Sequence, residues 1–195
     1  GLVDRPDVSH YRLAAHLTTA FITFAYTFWV ILDILYPIKK EFNKRLKRII
    51  QVSLAILIIQ IVYGAFVAGL DAGFIHNFWP MMAEGKFIHE TAYIEQEPLY
   101  RNFIEGKSGV QFVHRILAYI VVISIFIIWN FTRKMELSRD QRLGVNGLIY
   151  VIVLQFTLGV FTLLLAVPVW LGVAHQIGAF FLLTAMTFVL HRFSK

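Results

Sequence analysis

The amino-acid sequence predicts an all-α integral membrane protein with five transmembrane helices, and three observations carry that prediction. The first is composition: of 195 residues, 58% are hydrophobic and only 15% are charged, with a mean hydropathy of +0.67. A water-soluble domain sits nearer half apolar and about a quarter charged. The second is five apolar runs, each long enough to cross a hydrocarbon core about 30 Å thick, which takes about 20 helical residues. The third is that lysine and arginine crowd into alternate connections, as they do where basic loops stay on one side of a membrane. The net charge of +6 is thereby a topology signal; it lies in short loops between apolar runs, which excludes a nucleic-acid-binding reading. The absence of cysteine removes disulfides, thiolate metal sites and cysteine nucleophiles.

In lipid the backbone can bond only to itself, so long apolar runs are helices. They fall near 11–36, 48–70, 109–131, 142–166 and 169–192. Pro37 is expected to end the first, and Pro168 to make the tight turn between the last two. Lys39, Lys40, Lys44, Arg45, Lys47 and Arg48 occupy the first connection, Arg133, Lys134, Arg139 and Arg142 the third, and Arg192 and Lys195 the carboxyl end. The second connection, 71–108, holds Asp71, Glu84, Glu90, Glu95, Glu97 and Glu105. The basic side is therefore expected in the cytoplasm or matrix, with 71–108 outside. A connection this long is usually functional or mobile. Its apolar first part, through Phe74 and Trp79 to Met82, has two readings. Either it packs over the outer mouth of the bundle, with a short interfacial helix around 91–104, or it lies on lipid headgroups through Trp79 and Tyr93.

The histidines carry the chemistry. Ala174-His175-x-x-x-Ala179-Phe180 places an imidazole about one turn inside the last run. Ala15-His16-x-x-x-Ala20-Phe21 repeats the pattern 159 residues earlier, and His114 opens a third run in the same way. A titratable side chain at that depth is costly and marks a site. All three helices run from outside to inside, so His16, His114 and His175 lie at similar depth. His10, His76, His89 and His191 are assigned to solvent or the interface. Two level, neutral imidazoles on facing helices supply both axial ligands of a haem iron. Zinc or copper would want a further ligand, and the runs around His114 and His175 hold no Asp, Glu or Cys. Against haem stands simple interhelical hydrogen bonding, worth about 1 kcal/mol for each histidine; the residues alone leave the two readings level. Gly64, Ala65, Ala68, Gly69, Gly144, Gly147, Gly159, Gly172 and Gly178 allow close helix approach, for a pocket or for ordinary contacts. Arg115 either pairs with a haem propionate or snorkels to the headgroups. Gln60, Tyr63 and Gln155 are expected to bond between helices, and Asp33 to reach the basic side.

Repeated transmembrane units usually mean two similar halves. If 48–195 is one four-helix bundle, with its histidines on its second and fourth helices, then 1–47 holds the last helix and basic loop of a preceding, pseudo-symmetric bundle. The chain begins at Gly1 without an initiator methionine. It is therefore expected to be a piece of a longer protein of eight spans, whose first three helices and the partner of His16 lie upstream.

Five motifs then converge: Tyr11-Arg12-Leu13-Ala14-Ala15-His16-Leu17, Gly64-Ala65-Phe66-Val67-Ala68-Gly69-Leu70-Asp71-Ala72-Gly73, Asn77-Phe78-Trp79-Pro80-Met81, Gln111-Phe112-Val113-His114-Arg115 and Ala174-His175-Gln176. Over essentially its whole length the chain resembles the haem A synthases of the proteobacterial and mitochondrial type. The resemblance implies an oxidoreductase of the bacterial cytoplasmic (inner) or mitochondrial inner membrane, converting haem O to haem A by oxidising a methyl group to a formyl. It implies that His114 and His175 hold a haem b and that His16 is one of the pair at the haem O site. The proposed catalytic glutamate belongs to an external loop of the amino-terminal half, outside this sequence. The implied partners are membrane lipid, a haem O synthase, an electron donor and the cytochrome oxidase assembly machinery. Two other readings remain: a self-sufficient b-type electron-transfer cytochrome, and a cofactor-free assembly or transport protein whose histidines only pack.

Overall fold

The computed structural model describes residues 8–36 and 43–194. Along them run α1 (His10–Leu35), α2 (Lys44–Gly69), the one-turn α3 (Thr91–Ile94), α4 (Lys107–Thr132), α5 (Arg139–Leu164) and α6 (Val169–Arg192). Five of these, all but α3, are long and apolar enough to cross a membrane. Pro37, Lys39, Lys40 and Lys195 lie outside the described residues.

Capping explains where the helices begin. The Asn43 side chain accepts from the Arg45 and Leu46 amides at 2.9 and 3.3 Å, so α2 starts four residues before the expected position. Ser138 and Gln141 form a reciprocal capping box, at 3.3 and 3.0 Å, and draw Arg139 and Asp140 into α5. The opposite end of α5 stops at Leu164 because Ala166 and Val167 both adopt φ of 56°, a region that side chains, and branched ones above all, rarely enter. Those two residues make the turn that was expected of Pro168, which instead immediately precedes α6. The turn is held by Val167 N–H donating to the Thr162 carbonyl at 2.8 Å and by Asn77, reaching from the long connection to the Leu163 carbonyl at 2.8 Å.

Packing closes α2, α4, α5 and α6 into a ring in which each helix borders the next and α6 returns to α2; α1 lies outside, against α2 and α6. α4 and α6 are therefore at opposite corners, as are α2 and α5. The main buried cluster includes Leu46, Ile50 and Leu57 of α2, Ile125 and Ile128 of α4, Leu148 of α5 and Met186 and Val189 of α6. It stops at Ile61, Val121, Ile152 and Leu182. Toward the long connection a second, smaller cluster forms from Ala14, Ala65, Phe66 and Val110. At the basic end, His191 is only 3% exposed. It approaches Asp33 at 3.2 Å and stacks edge-on to Trp29, which corrects its assignment to solvent or the interface and places Asp33 against α6. His10 likewise packs edge-on to Phe66 at 5.2 Å.

The long connection folds back onto the bundle. Gln111 of α4 donates to the Ala72 carbonyl at 2.9 Å. The single helix expected over 91–104 is instead α3 and a 3-10 turn, Leu99–Phe103, because Pro98 between them has no amide to continue the ladder. Asn102, fully buried, ties these turns together. It accepts from the Gln96 amide at 2.7 Å and donates to the Gln96 and Leu99 carbonyls at 2.7 and 3.0 Å. Each such bond contributes about 1 kcal/mol, and groups left buried without partners cost more. Asn102→Ala is expected to destabilise the connection by roughly 2–3 kcal/mol; limited proteolysis in detergent would then cut between 85 and 106 well before the helices.

Candidate functional site

The site is built from the two helices at opposite corners of the ring. His114 lies seven residues from Val121 on α4, and His175 seven residues from Leu182 on α6, about 10 Å beyond the packed core in each case. By this count the two imidazoles lie at similar heights beyond the packed core. Each meets a glycine on the helix beside it. A Cβ at Gly64 of α2 would sit 3.3 Å from Cε1 of His114, and one at Gly159 of α5 would sit 2.8 Å from Cε1 of His175. Both Nδ1 atoms are buried and complete no hydrogen bond, as are the Oε1 atoms of Gln60 and Gln155. Unsatisfied polar atoms in such an environment are expensive and call for a reason.

The donor set tests what the pair can hold. No group of three or more His, Cys, Asp or Glu among the described residues could hold a metal ion. A metal between His114 and His175 must therefore bring its remaining ligands with it, and a porphyrin does so. The residues present fit haem and do not fit bare zinc or copper. Two cavities lie elsewhere: about 260 Å³ between α1, α2 and α6 around Phe21, and about 450 Å³ on the α2–α4 surface around Ser53. Neither is lined by the histidine pair.

His16 is not brought to the pair. It is exposed, on a face of α1 turned away from the bundle, whereas Ala14, Leu17 and Phe21 pack inward. Arg115, one residue beyond His114, points its guanidinium into the long connection. It donates to the Phe78 and Met81 carbonyls at 2.9 and 3.1 Å, to the His76 carbonyl, and to Gln111 Oε1 at 3.2 Å. Its Nε is buried and unpaired.

The family model described as cytochrome oxidase assembly protein, COX15-CtaA, matches residues 1–187. The chain belongs to this family. Among its relatives it is 58% identical to the Heme A synthase of Flavobacterium johnsoniae over 100% of this chain and 58% of that protein. It is 42% identical to that of Nitrosospira multiformis over 100% and 55%, and 41% identical to Heme A synthase COX15 of Arabidopsis thaliana over 96% and 42%. The chain thus spans little more than half the length of these bacterial relatives. The resemblance to haem A synthases carried by the five sequence motifs holds, and with five membrane-length helices this family member is a multi-pass membrane protein.

One cluster escaped sequence reasoning. His76 and His89, assigned to solvent or the interface, stack with centroids 4.7 Å apart. They are joined by a string of hydrogen bonds, all at 2.8 Å, from His89 Nδ1 through the Thr91 and Ser108 hydroxyls to His76 Nε2. Glu95 accepts from the Lys107 and Ser108 amides at 3.4 and 3.3 Å and so caps α4. No local signal announces it, because Glu95 stands 12 residues before the first amide that it caps. Burial first, then the neighbouring His89 and the Arg115 guanidinium, hold the His76 imidazole below its ordinary value, with Glu95 opposing them. A lowered folded-state value means that the detached loop binds the proton more readily. The contribution is present above the ordinary histidine value, about 6.5, and is lost as pH falls through the lower folded value. Acidification is expected to release the connection, seen as faster proteolysis between 71 and 106; His76→Asn should flatten that pH dependence.

Proposed function

We propose that this chain carries the haem b site of a haem A synthase, with His114 and His175 as its axial ligands. The observation that carries the reading is the pair on opposite helices, each with an unsatisfied nitrogen and, among the described residues, with no third protein donor. When bound, haem supplies a one-electron centre with both axial positions filled, suited to passing electrons rather than to binding oxygen. The chain's own residues build its surroundings. α2 and α5 flank the rings through Gly64 and Gly159, and Tyr119, Phe156 and Trp79 form a contiguous aromatic wall over the α4–α5 side. Arg115 sets a positive charge at the rim, where an incoming propionate would compete with the loop carbonyls. The long connection, tied down by Asn77, Gln111 and Asn102, shields that end from water. The same pair would serve an electron-transfer cytochrome; family membership favours the synthase.

In this reading 48–195 is the carboxyl-terminal bundle, and α1 is the last helix of a preceding one that contains the haem O site, with His16 among its ligands. Oxidation of the haem O methyl to the formyl of haem A takes place there, using residues outside this sequence. Two observations support the division. Phe21 and Phe180, equivalent positions of the repeat, touch with ring centroids 6.0 Å apart, as self-equivalent residues do beside a local two-fold axis. Only 6% of the membrane window of α1 is buried, against 28% for α2, so most of α1 is free to meet further helices. The basic end faces the cytoplasm or matrix and the histidine end faces outward. A haem O synthase and an electron donor are the expected partners, in the setting of cytochrome oxidase assembly.

The purified chain is expected to show the sharp reduced-minus-oxidised bands of a low-spin b-type haem, lost in both His114→Ala and His175→Ala. Well-folded but colourless wild-type protein, or bands that survive both substitutions, would sink the assignment. Haem A formation by residues 1–195 alone would refute placement of the chemistry in the preceding bundle.

A further inference from the structure

The two histidines are approached in the same way from the two remaining corners of the ring. On α2, Gln60 is followed four residues later by Gly64; on α5, Gln155 is followed four residues later by Gly159. The His114 ring packs on Gly64 and the His175 ring on Gly159, one helical turn from the main-chain carbonyls of Gln60 and Gln155, and neither Nδ1 completes a hydrogen bond. A side chain at a helical position covers the preceding turn, and a Cβ at 64 or 159 would press on the ring itself, 3.3 and 2.8 Å from Cε1. The spacing therefore has a purpose at each corner. A helical carbonyl keeps a second lone pair after its own ladder bond, so the Gln60 and Gln155 carbonyls can each accept one hydrogen more.

Gln60 also meets the ring through its side chain, whose nitrogen lies 3.4 Å from His114 Nε2. Gln155 is itself buried, at 8% exposure, and its side-chain nitrogen donates to the His175 carbonyl at 3.0 Å; that bond ties α5 to α6 at the level of the ring.

We propose that Gln60–Gly64 and Gln155–Gly159 are matched positioning elements for the two axial histidines. In each, the glutamine's main-chain carbonyl takes the ring's Nδ1–H, the glycine makes room for the ring, and Nε2 is left for iron. The proposal rests on the haem assignment above. It adds the residues that select the ring tautomer and aim it, a role that ligand histidines in metalloproteins give to a backbone carbonyl or a carboxylate and whose loss typically weakens metal binding about 10–100-fold.

The test is haem titration into detergent-purified, haem-stripped protein, read by visible spectrum and midpoint potential. Gly159→Ala, where the new Cβ falls 2.8 Å from the ring, is compared with Gly64→Ala at 3.3 Å. Gly147→Ala and Gly172→Ala, which meet nothing within 4 Å, serve as controls. Gly159→Ala is expected to weaken haem binding about 10–100-fold and to lose low-spin character. Gly64→Ala should do so less, with a raised midpoint potential as the imidazole becomes a poorer donor to ferric iron. The controls should match wild type. Wild-type affinity, spectrum and potential in both Gly64→Ala and Gly159→Ala would overturn the positioning role while leaving the haem assignment intact. A wild type that takes up no haem would overturn both. Should Gly159→Ala fail to fold, nitrogen-15 NMR of labelled histidines in the haem-free wild type decides: hydrogen on Nδ1 at both rings supports the proposal, hydrogen on Nε2 ends it.

Discussion

His114 and His175 each hold a buried Nδ1 that has no hydrogen-bond partner, and the histidine half of this molecule is arranged around that fact. Leaving a buried polar group without a partner costs on the order of 1–3 kcal/mol, more than a single interhelical hydrogen bond in a membrane returns. Two such rings at one level, on α4 and α6, are not what packing alone would select. The lower half of the bundle is held by a large apolar cluster that includes Leu57, Ile61, Val121, Ile125, Ile152, Leu182 and Met186.

The ring order gives the pair its reach. Because α4 and α6 occupy opposite corners, their side chains converge on the bundle axis instead of meeting across a shared helix–helix seam. α2 and α5 then act as side walls, with Gly64 and Gly159 against the two rings. Over the top, Arg115 gathers carbonyls of His76, Phe78 and Met81, so the residue next to His114 is also the anchor of the covering loop.

Much of this was legible in the sequence, and the limits are physical. Helix number and the level of His114 and His175 follow from apolar run lengths and from loop charge, both of which act along the chain. Helix starts were read too late at Asn43 and Ser138, because charged residues just inside a cap look like loop when hydropathy is the guide; the Ser138-x-x-Gln141 capping box was the better signal. The α5–α6 turn was credited to Pro168, because nothing in Ala166-Val167 announces positive φ. The burial of His191 against Asp33 and the stacking of His76 on His89 depend on residues 158 and 13 positions apart in the chain, brought together by packing. The recurrence of Gln-x-x-x-Gly on α2 and α5 was visible in the letters. It acquired meaning only once the ring placed those helices beside the histidines.

The left-handed residues Ala166 and Val167 bear on how the site comes into being. The ribosome delivers His114 long before His175, and between them lie α5 and this strained turn. Until α6 has crossed the membrane, His114 faces an open corner and the Gln155–Gly159 wall has no ring beside it. Asn77, which grips the Leu163 carbonyl at the root of the turn, belongs to a connection made before either helix. A segment synthesised early is thus placed to receive the hairpin on which the second histidine arrives, and the site closes last, around a scaffold already standing.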